Sequence, residues 1–351
     1  MTGYTQTVKV CIEPLPDRFL FNQKEFYKDK NNCFEVTLDP NKENLMEVFK
    51  SGYNTQRRYL TTPSESKLEF QLTRTYYDSE LNMEFILVPP GKFLMGYQGP
   101  DLEKKAHAPP HLVQITEAFY LGKTEVTQSQ WRMIMKTDTW KNNPQYQYYR
   151  EKEPIGEGPN YPVSWLSWHD TQKFIAKANM KAGSSIYRLA SEAEFEYAAR
   201  SGGSINYRYI FGNDPKKICL YGNVADQSFE IHHPNRKVAP CNDGFPYTAP
   251  VMQFLPNAWG FYDMLGNLWS WVDDWYDPDY YTKSPSKNPR GPKEGRRKSK
   301  RGGCYFGNHE HVAVGDRFFN HPSFQWVFMG LRLFRSYDPN KPLPLAHQKD
   351  L

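Results

Sequence analysis

The end of the chain constrains its fold most. Arg301-Gly302-Gly303-Cys304-Tyr305 is followed by about two dozen irregular residues and then by Met329-Gly330-Leu331-Arg332-Leu333. Between Tyr305 and Phe328 stand seven aromatics and three histidines in 24 residues, with no lysine, against a chain average of 16% aromatic. Neither a helical period nor strand alternation runs through it. A core segment would keep one apolar face, and a solvated loop would avoid Phe318, Phe319, Phe324, Trp326 and Phe328. The composition is that of a contact surface built from rigid amphipathic rings. The rest of the chain must then be a scaffold able to hold irregular backbone in place.

A chain of 351 residues can bury a large core. Its hydrophobic content of 39% is low, but 24 Tyr, 22 Phe and 9 Trp supply burial through rings. Lys+Arg 44 against Asp+Glu 39 leaves a net charge of only +5, and no basic groove interleaved with aromatics stands out. Nucleic acid is therefore not an expected partner. No apolar run approaches the roughly 20 residues of a membrane span. The N-terminus lacks the charged and apolar regions of a signal peptide. The protein is expected to be cytoplasmic if Met1 is native, or at the cell surface or in the periplasm if a leader was removed, and to be a monomer. Five cysteines, Cys11, Cys33, Cys219, Cys241 and Cys304, form no C-x-x-C pair and are odd in number. That excludes a complete disulfide framework and predicts isolated thiols without a zinc site.

Residues 1–78 read as a small β-rich accessory module. Val8–Ile12, Cys33–Leu38 and Leu68–Leu72 alternate with period two between Pro, Asn, Asp and Lys clusters. From residue 79 the texture changes to short aromatic strands, long loops and a few helices. Ser167 is a candidate N-cap, Ser191 with Glu194 forms a capping box that Gly202-Gly203 would stop, and a third helix begins near Thr127. Residues 337–351 form a tail.

The blocks Met83–Gly96, Lys123–Thr127, Tyr161-Pro162-Val163, Tyr187–Ala198 and Gly260–Trp269, followed by the Arg-Gly-Gly frame, resemble the formylglycine-generating-enzyme (sulfatase-modifying-factor) family in order and spacing. The resemblance covers about residues 79–336. It implies an α+β, C-type-lectin-like fold of the formylglycine-generating-enzyme type, with two helices packed on a twisted sheet.

Function must be read site by site. The family's oxidase chemistry uses two cysteines to hold copper(I); here Gly307 and Val312 occupy the matching positions, and Cys304 stands where the family has serine. Copper is not expected. A carbon-sulfur-forming branch takes its iron from an N-terminal histidine pattern, yet residues 1–80 contain no histidine. A triad from His309, His311 and His321 with Glu310 or Asp316 is a weaker reading than scattered imidazoles, so iron is not expected. The family's first calcium site implies Asn223, Val224, Asp243 and Phe245 as oxygen ligands, whereas Asp243-Gly244 alone would be only a turn signal. A second calcium site would use Asp263, Gly266 and Leu268, but Ser270 replaces its glutamate. Asp273–Asp277 reads as a solvated strand end and Arg296–Arg301 as an exposed connector.

The end of the chain is most similar to a non-catalytic branch, the variable proteins of diversity-generating retroelements. In these a template replaces adenines and scatters substitutions over a framed segment. Asp316-Arg317 and Pro322 fall where that branch keeps Asn-Arg and Pro. Asparagine codons rewritten at their first two bases give Tyr, Phe, Gly, His, Val, Ser, Asp and Asn but never Lys, close to the inventory of residues 305–328. Cys304, Tyr305 and Leu331 depart from the frame, and Gln325 and Trp326 are not reachable from asparagine by adenine change alone.

The resemblance therefore implies a non-catalytic protein that binds a protein or cell-surface ligand through Tyr305, Phe306, Asn308, His309, His311, Val312, Val314, Phe318, Phe319, His321, Ser323, Phe324, Trp326 and Phe328. The alternatives are a formylglycine-generating-enzyme-like or carbon-sulfur-forming oxidoreductase, or an inactive paralogue.

Overall fold

The structure, a computed structural model, describes residues 6–346 apart from 14–15, 17, 32, 39–43, 51–55, 61–66, 72, 98–106, 140, 142, 150–153 and 204–206. The expected strand through Leu72 therefore ends outside the described residues.

The N-terminal strands are β1 (Gln6–Glu13), β2 (Arg18–Phe21), β3 (Lys24–Glu25), β4 (Cys33–Leu38), β5 (Asn44–Phe49), β6 (Gln56–Leu60) and β7 (Lys67–Gln71). They form two sheets, ordered β4-β1-β7 and β3-β2-β5-β6. Alternation sends Val8, Val10, Phe34, Val36 and Leu38 inward to meet Phe19, Phe21, Met46 and Val48 in a separate core. Phe19 and Phe34 stack with ring centroids 4.3 Å apart.

The larger domain begins with β8 (Thr75–Asp78), β9 (Met83–Val88), β10 (Gly91–Met95), β11 (His111–Ile115) and β12 (Phe119–Gly122). Helices α1 (Gln128–Met135), α2 (Pro144–Tyr149) and α3 (Trp168–Ala182), strand β13 (Tyr187–Leu189), and helices α4 (Glu192–Ala199), α5 (Ile218–Tyr221) and α6 (Gln227–Glu230) follow. It closes with β14 (Trp269–Trp275), β15 (Lys298–Arg301), β16 (Phe318–Asn320), β17 (Met329–Leu331) and β18 (Leu333–Ser336). One sheet runs β13-β18-β12-β9-β8 and a second β16-β15-β14-β17, with β10-β11 as a separate pair. The described tail lies along β8, where Ala346 donates its N–H to Thr75 O at 2.8 Å.

The three predicted helix starts are capped as expected. Thr127, Ser167 and Ser191 each accept from the third helical N–H, and Gln130, Asp170 and Glu194 reach back to complete capping boxes. Trp131 of α1 stacks on Phe174 of α3 at 5.3 Å, which locks the helix pair against the core.

Three expectations are corrected. The cysteines are not isolated thiols: Cys11 pairs with Cys33 and Cys219 with Cys241, leaving Cys304 free and buried. An odd count excludes only complete pairing, and antiparallel register puts Cys11 opposite Cys33 although 22 residues separate them. The basic run is not an exposed connector. Arg296 and Arg297 are exposed, but Lys298–Arg301 form the fully buried strand β15. Nor is the acidic run a solvated end, because buried Asp274 accepts from Glu192 N at 2.9 Å and so caps α4 from outside.

Candidate functional site

Three arginines fix the frame of the C-terminal segment. Arg301 leaves β15 fully buried and donates through Nη1 to Gly315 O and Asp316 O at 3.0 and 2.7 Å, and through Nη2 to Val314 O at 3.2 Å and to Glu196 of α4. Arg317 grips Glu192 at 2.6, 3.0 and 3.2 Å. Arg332 donates to Gly122 O and Tyr262 O at 2.8 and 2.6 Å. Planar five-donor guanidiniums suit such work because each satisfies several acceptors at once. Between Arg301 and Arg332 the chain has regular structure at β16 on the sheet edge and at β17, and is otherwise irregular.

The structure divides the fourteen predicted contact residues. Tyr305, Asn308, Val312 and Val314 are buried, so they support the segment from within and are corrected as contact residues. Gly303, at positive φ, leaves room for one of them, since a Cβ there would lie 2.8 Å from Val312 Cγ1. His311, Phe318, His321 and Ser323 are exposed, and Phe306, His309, Phe319, Phe324, Trp326 and Phe328 are half-buried. The half-buried rings are mutually packed. Phe306 meets Phe328 at 6.2 Å, Phe328 meets Trp326 at 6.4 Å, and Trp326 stacks with Phe324 at 6.2 Å. Phe318 packs on Trp269 at 5.2 Å, and Phe319 on Tyr276 at 4.2 Å. Trp326 also leans on buried Trp165 at 5.7 Å. The outcome is a ring row with one face in the core and the other toward solvent.

Gly307 and Val312 are brought together. A Cβ built on Gly307 would lie 3.1 Å from Val312 Cγ2, and Val312 is wholly buried. An isopropyl group fills the place where two thiolates would need to converge. Burial pushes the Cys304 thiol up to about 11, which leaves it protonated and unreactive at neutral pH.

The histidines do not assemble a metal site among the described residues. Glu310 pairs with Lys237 at 2.6 Å, and Asp316 is 3.6 Å from His107. The group with metal-ligand spacing there is Cys219, Asp226 and Asp243, but Cys219 is tied to Cys241 and offers no thiolate. Asp243 accepts from Val224 N and from Phe245 N, each at 2.8 Å, so the loop also carries the turn that Asp243-Gly244 suggests. Burial and the neighbouring Asp226 push its carboxyl up to about 8. Asn223 Oδ1 is buried without a hydrogen-bond partner among the described residues, while its Nδ2 donates to Tyr247 O at 2.7 Å. The unpaired Asn223 amide oxygen and the Asp243 carboxyl, which the Val224 N–H ties to the residue after Asn223, are oxygen donors of the kind a hard cation takes.

Two features escaped the sequence reading. Glu125, Asp263 and Arg332 form a buried charged cluster in which burial drives the Glu125 carboxyl well up and holds the Arg332 guanidinium down at about 10. Lys300 is buried beneath the ring row, hidden by its place in a run of basic residues.

The sulfatase-modifying factor enzyme 1-like domain matches residues 73–337. The formylglycine-generating enzyme of Streptomyces coelicolor is 29% identical over 258 residues, spanning 63% of this chain and 78% of that protein. That of Thermomonospora curvata is 35% identical over 167 residues, 44% of this chain and 50% of the relative. Among solved structures, PvdO from Pseudomonas aeruginosa superposes with a TM-score of 0.62 at 24% identity, covering 75% of this chain and 98% of its own. Treponema denticola variable protein 1 superposes at 0.58 and 22%, covering 79% and 100%. At such identities the two structures establish a shared fold, the C-type-lectin-like architecture of the formylglycine-generating-enzyme type. Residues 73–337, three quarters of the sequence, belong to the sulfatase-modifying factor enzyme 1-like family.

Proposed function

We propose that the protein is a non-catalytic binder that displays the outer face of residues 305–328 to a protein or cell-surface ligand, in the manner of a retroelement variable protein. The observation that carries this reading is the row Phe306, Phe328, Trp326 and Phe324, whose rings pack on one another yet keep a solvent face. Aromatic rings held this way give contact area at little entropic cost. The arginine clamps supply the rigidity such a surface needs. That a protein named as variable shares the fold is consistent with this use of it. Kinship with formylglycine-generating enzymes favours an oxidase as the second reading. The pair Gly307 and Val312 opposes it, because neither side chain ligates copper.

On this reading calcium is structural, held by Asn223 and Asp243 with the carbonyls of Val224 and Phe245, and remote chemistry is not involved. Two disulfides fit an oxidising setting, so we place the protein at the cell surface or in the periplasm.

The test compares wild type with Phe324→Ala/Trp326→Ala on arrays of purified bacterial surface proteins and glycans, alongside thermal melts. Wild type should retain a ligand that the double variant loses while still melting cooperatively, at a stability cost of about 2–4 kcal/mol for two half-buried rings. A double variant that unfolds, or that binds unchanged, contradicts the proposal.

A further inference from the structure

Lys300 lies on β15, opposite Phe318 of β16 and Trp271 of β14. Its residue is 5% exposed. The ammonium sits over the rings of Trp269, Phe328 and Phe324 at 5.0, 5.4 and 6.0 Å. Among the described residues its hydrogen-bond acceptor is Met329 Sδ at 3.7 Å, and no carboxylate there stands at ion-pair distance. Lys298, two residues earlier, is handled differently, since its Nζ donates to Asp273 O at 2.7 Å.

Magnitudes show that the rings alone do not settle this amine. Taking an ammonium out of water costs several kcal/mol even after relaxation. A ring face returns about 0.5–2 kcal/mol, and a thioether is a weak acceptor. Among the described residues, two of the three N–H donors meet no acceptor. Phe324 and Phe328, which cover the amine, are among the half-buried residues of the ring row, so its lid is part of the candidate binding face.

We propose that Lys300 is an anion anchor at the floor of that face, and that the ligand presents a carboxylate on an apolar stem that passes between the rings to the amine. This deepens the binding reading and rests on it. A carboxylate fits better than a phosphate. Among the described residues the ammonium is the one cation set against the rings of Trp269, Phe324 and Phe328 together, so a carboxylate matches its charge, whereas a phosphate dianion would bring one uncompensated charge into an apolar site.

The experiment uses the full chain and small probes in place of the unidentified ligand. Phenylacetate, its neutral isostere phenylacetamide, and inorganic phosphate are titrated against wild type, Lys300→Met and Lys300→Gln. Binding is followed by tryptophan fluorescence and by the 13Cε signal of lysine, and melts verify that each variant is folded. Phenylacetate should bind wild type at least tenfold more tightly than phenylacetamide or phosphate, shift the Lys300 Cε signal, and lose that preference in both variants. If phenylacetamide binds wild type as well as phenylacetate, the ring surface stands and the anchor falls. If neither aromatic probe binds, both readings fall. A preference that survives in Lys300→Met also overturns the anchor. Where a variant does not fold, the wild-type preference together with the Lys300 Cε shift decides.

Discussion

Arg317 closes on Glu192 at 2.6 Å with both side chains out of solvent, joining the middle of the C-terminal segment to the first turn of α4. The pair is the segment's central tether. Breaking a buried pair by removing one partner leaves the other charge uncompensated, at about 3–5 kcal/mol. Glu192→Gln should therefore lower the unfolding free energy obtained from urea titration by that amount. A loss below about 1 kcal/mol would show that the tether is dispensable.

Gly307 and Val312 predict a gain of metal binding. Valine carries two γ groups where cysteine carries one, so Val312→Cys opens the space that a side chain at Gly307 needs. The double variant Gly307→Cys/Val312→Cys should bind copper(I) in competition with bicinchoninate, while wild type does not. Equal behaviour of the two proteins would remove the structural argument against oxidase chemistry.

Lys300 predicts a pH signature of stability. Burial holds its amine down at about 8, against an ordinary 10.5. Between those values the unfolded chain binds more protons than the folded one, so this group makes stability rise with pH from about 8 to about 10.5. Measured as wild type minus Lys300→Met, the rise should be on the order of 3 kcal/mol across that window. A flat difference would mean that the amine stays charged and solvated.

Calcium, bound as proposed, should raise the melting temperature. Binding to the folded state alone adds about 2.7 kcal/mol at a hundredfold excess over Kd. Chelator should reverse the shift, Asp243→Ala should abolish it, and magnesium should substitute poorly because it demands tighter octahedral geometry. A melt indifferent to all three rules out Asn223 and Asp243 as ligands.

Much of this architecture is legible in the residues. Ser167 and Ser191 announce their helices because a capping box is local chemistry, and the frame from Arg301 to Arg332 is a contiguous pattern. What escapes is decided by distant chain. Cys11 meets Cys33 through strand register, and Asp274 is buried because α4 is carried onto it. Tyr305 and Val312 are buried, the latter against the bare Cα of Gly303, so an aromatic inventory alone does not separate the ring row from its supports. Lys300 reads as one more charge in a basic run until β15 is seen to lie between two other strands.

Sequencing the coding segment across isolates, together with its genomic flanks, tests the central claim most directly. Diversification should concentrate at Phe306, His309, His311, Phe318, Phe319, His321, Ser323, Phe324 and Phe328. It should spare buried Tyr305, Val312 and Val314 and the clamps Arg301, Arg317 and Arg332, and a near-copy of the segment should lie beside a reverse transcriptase. Substitutions spread evenly along the chain, with no such copy, would contradict the account.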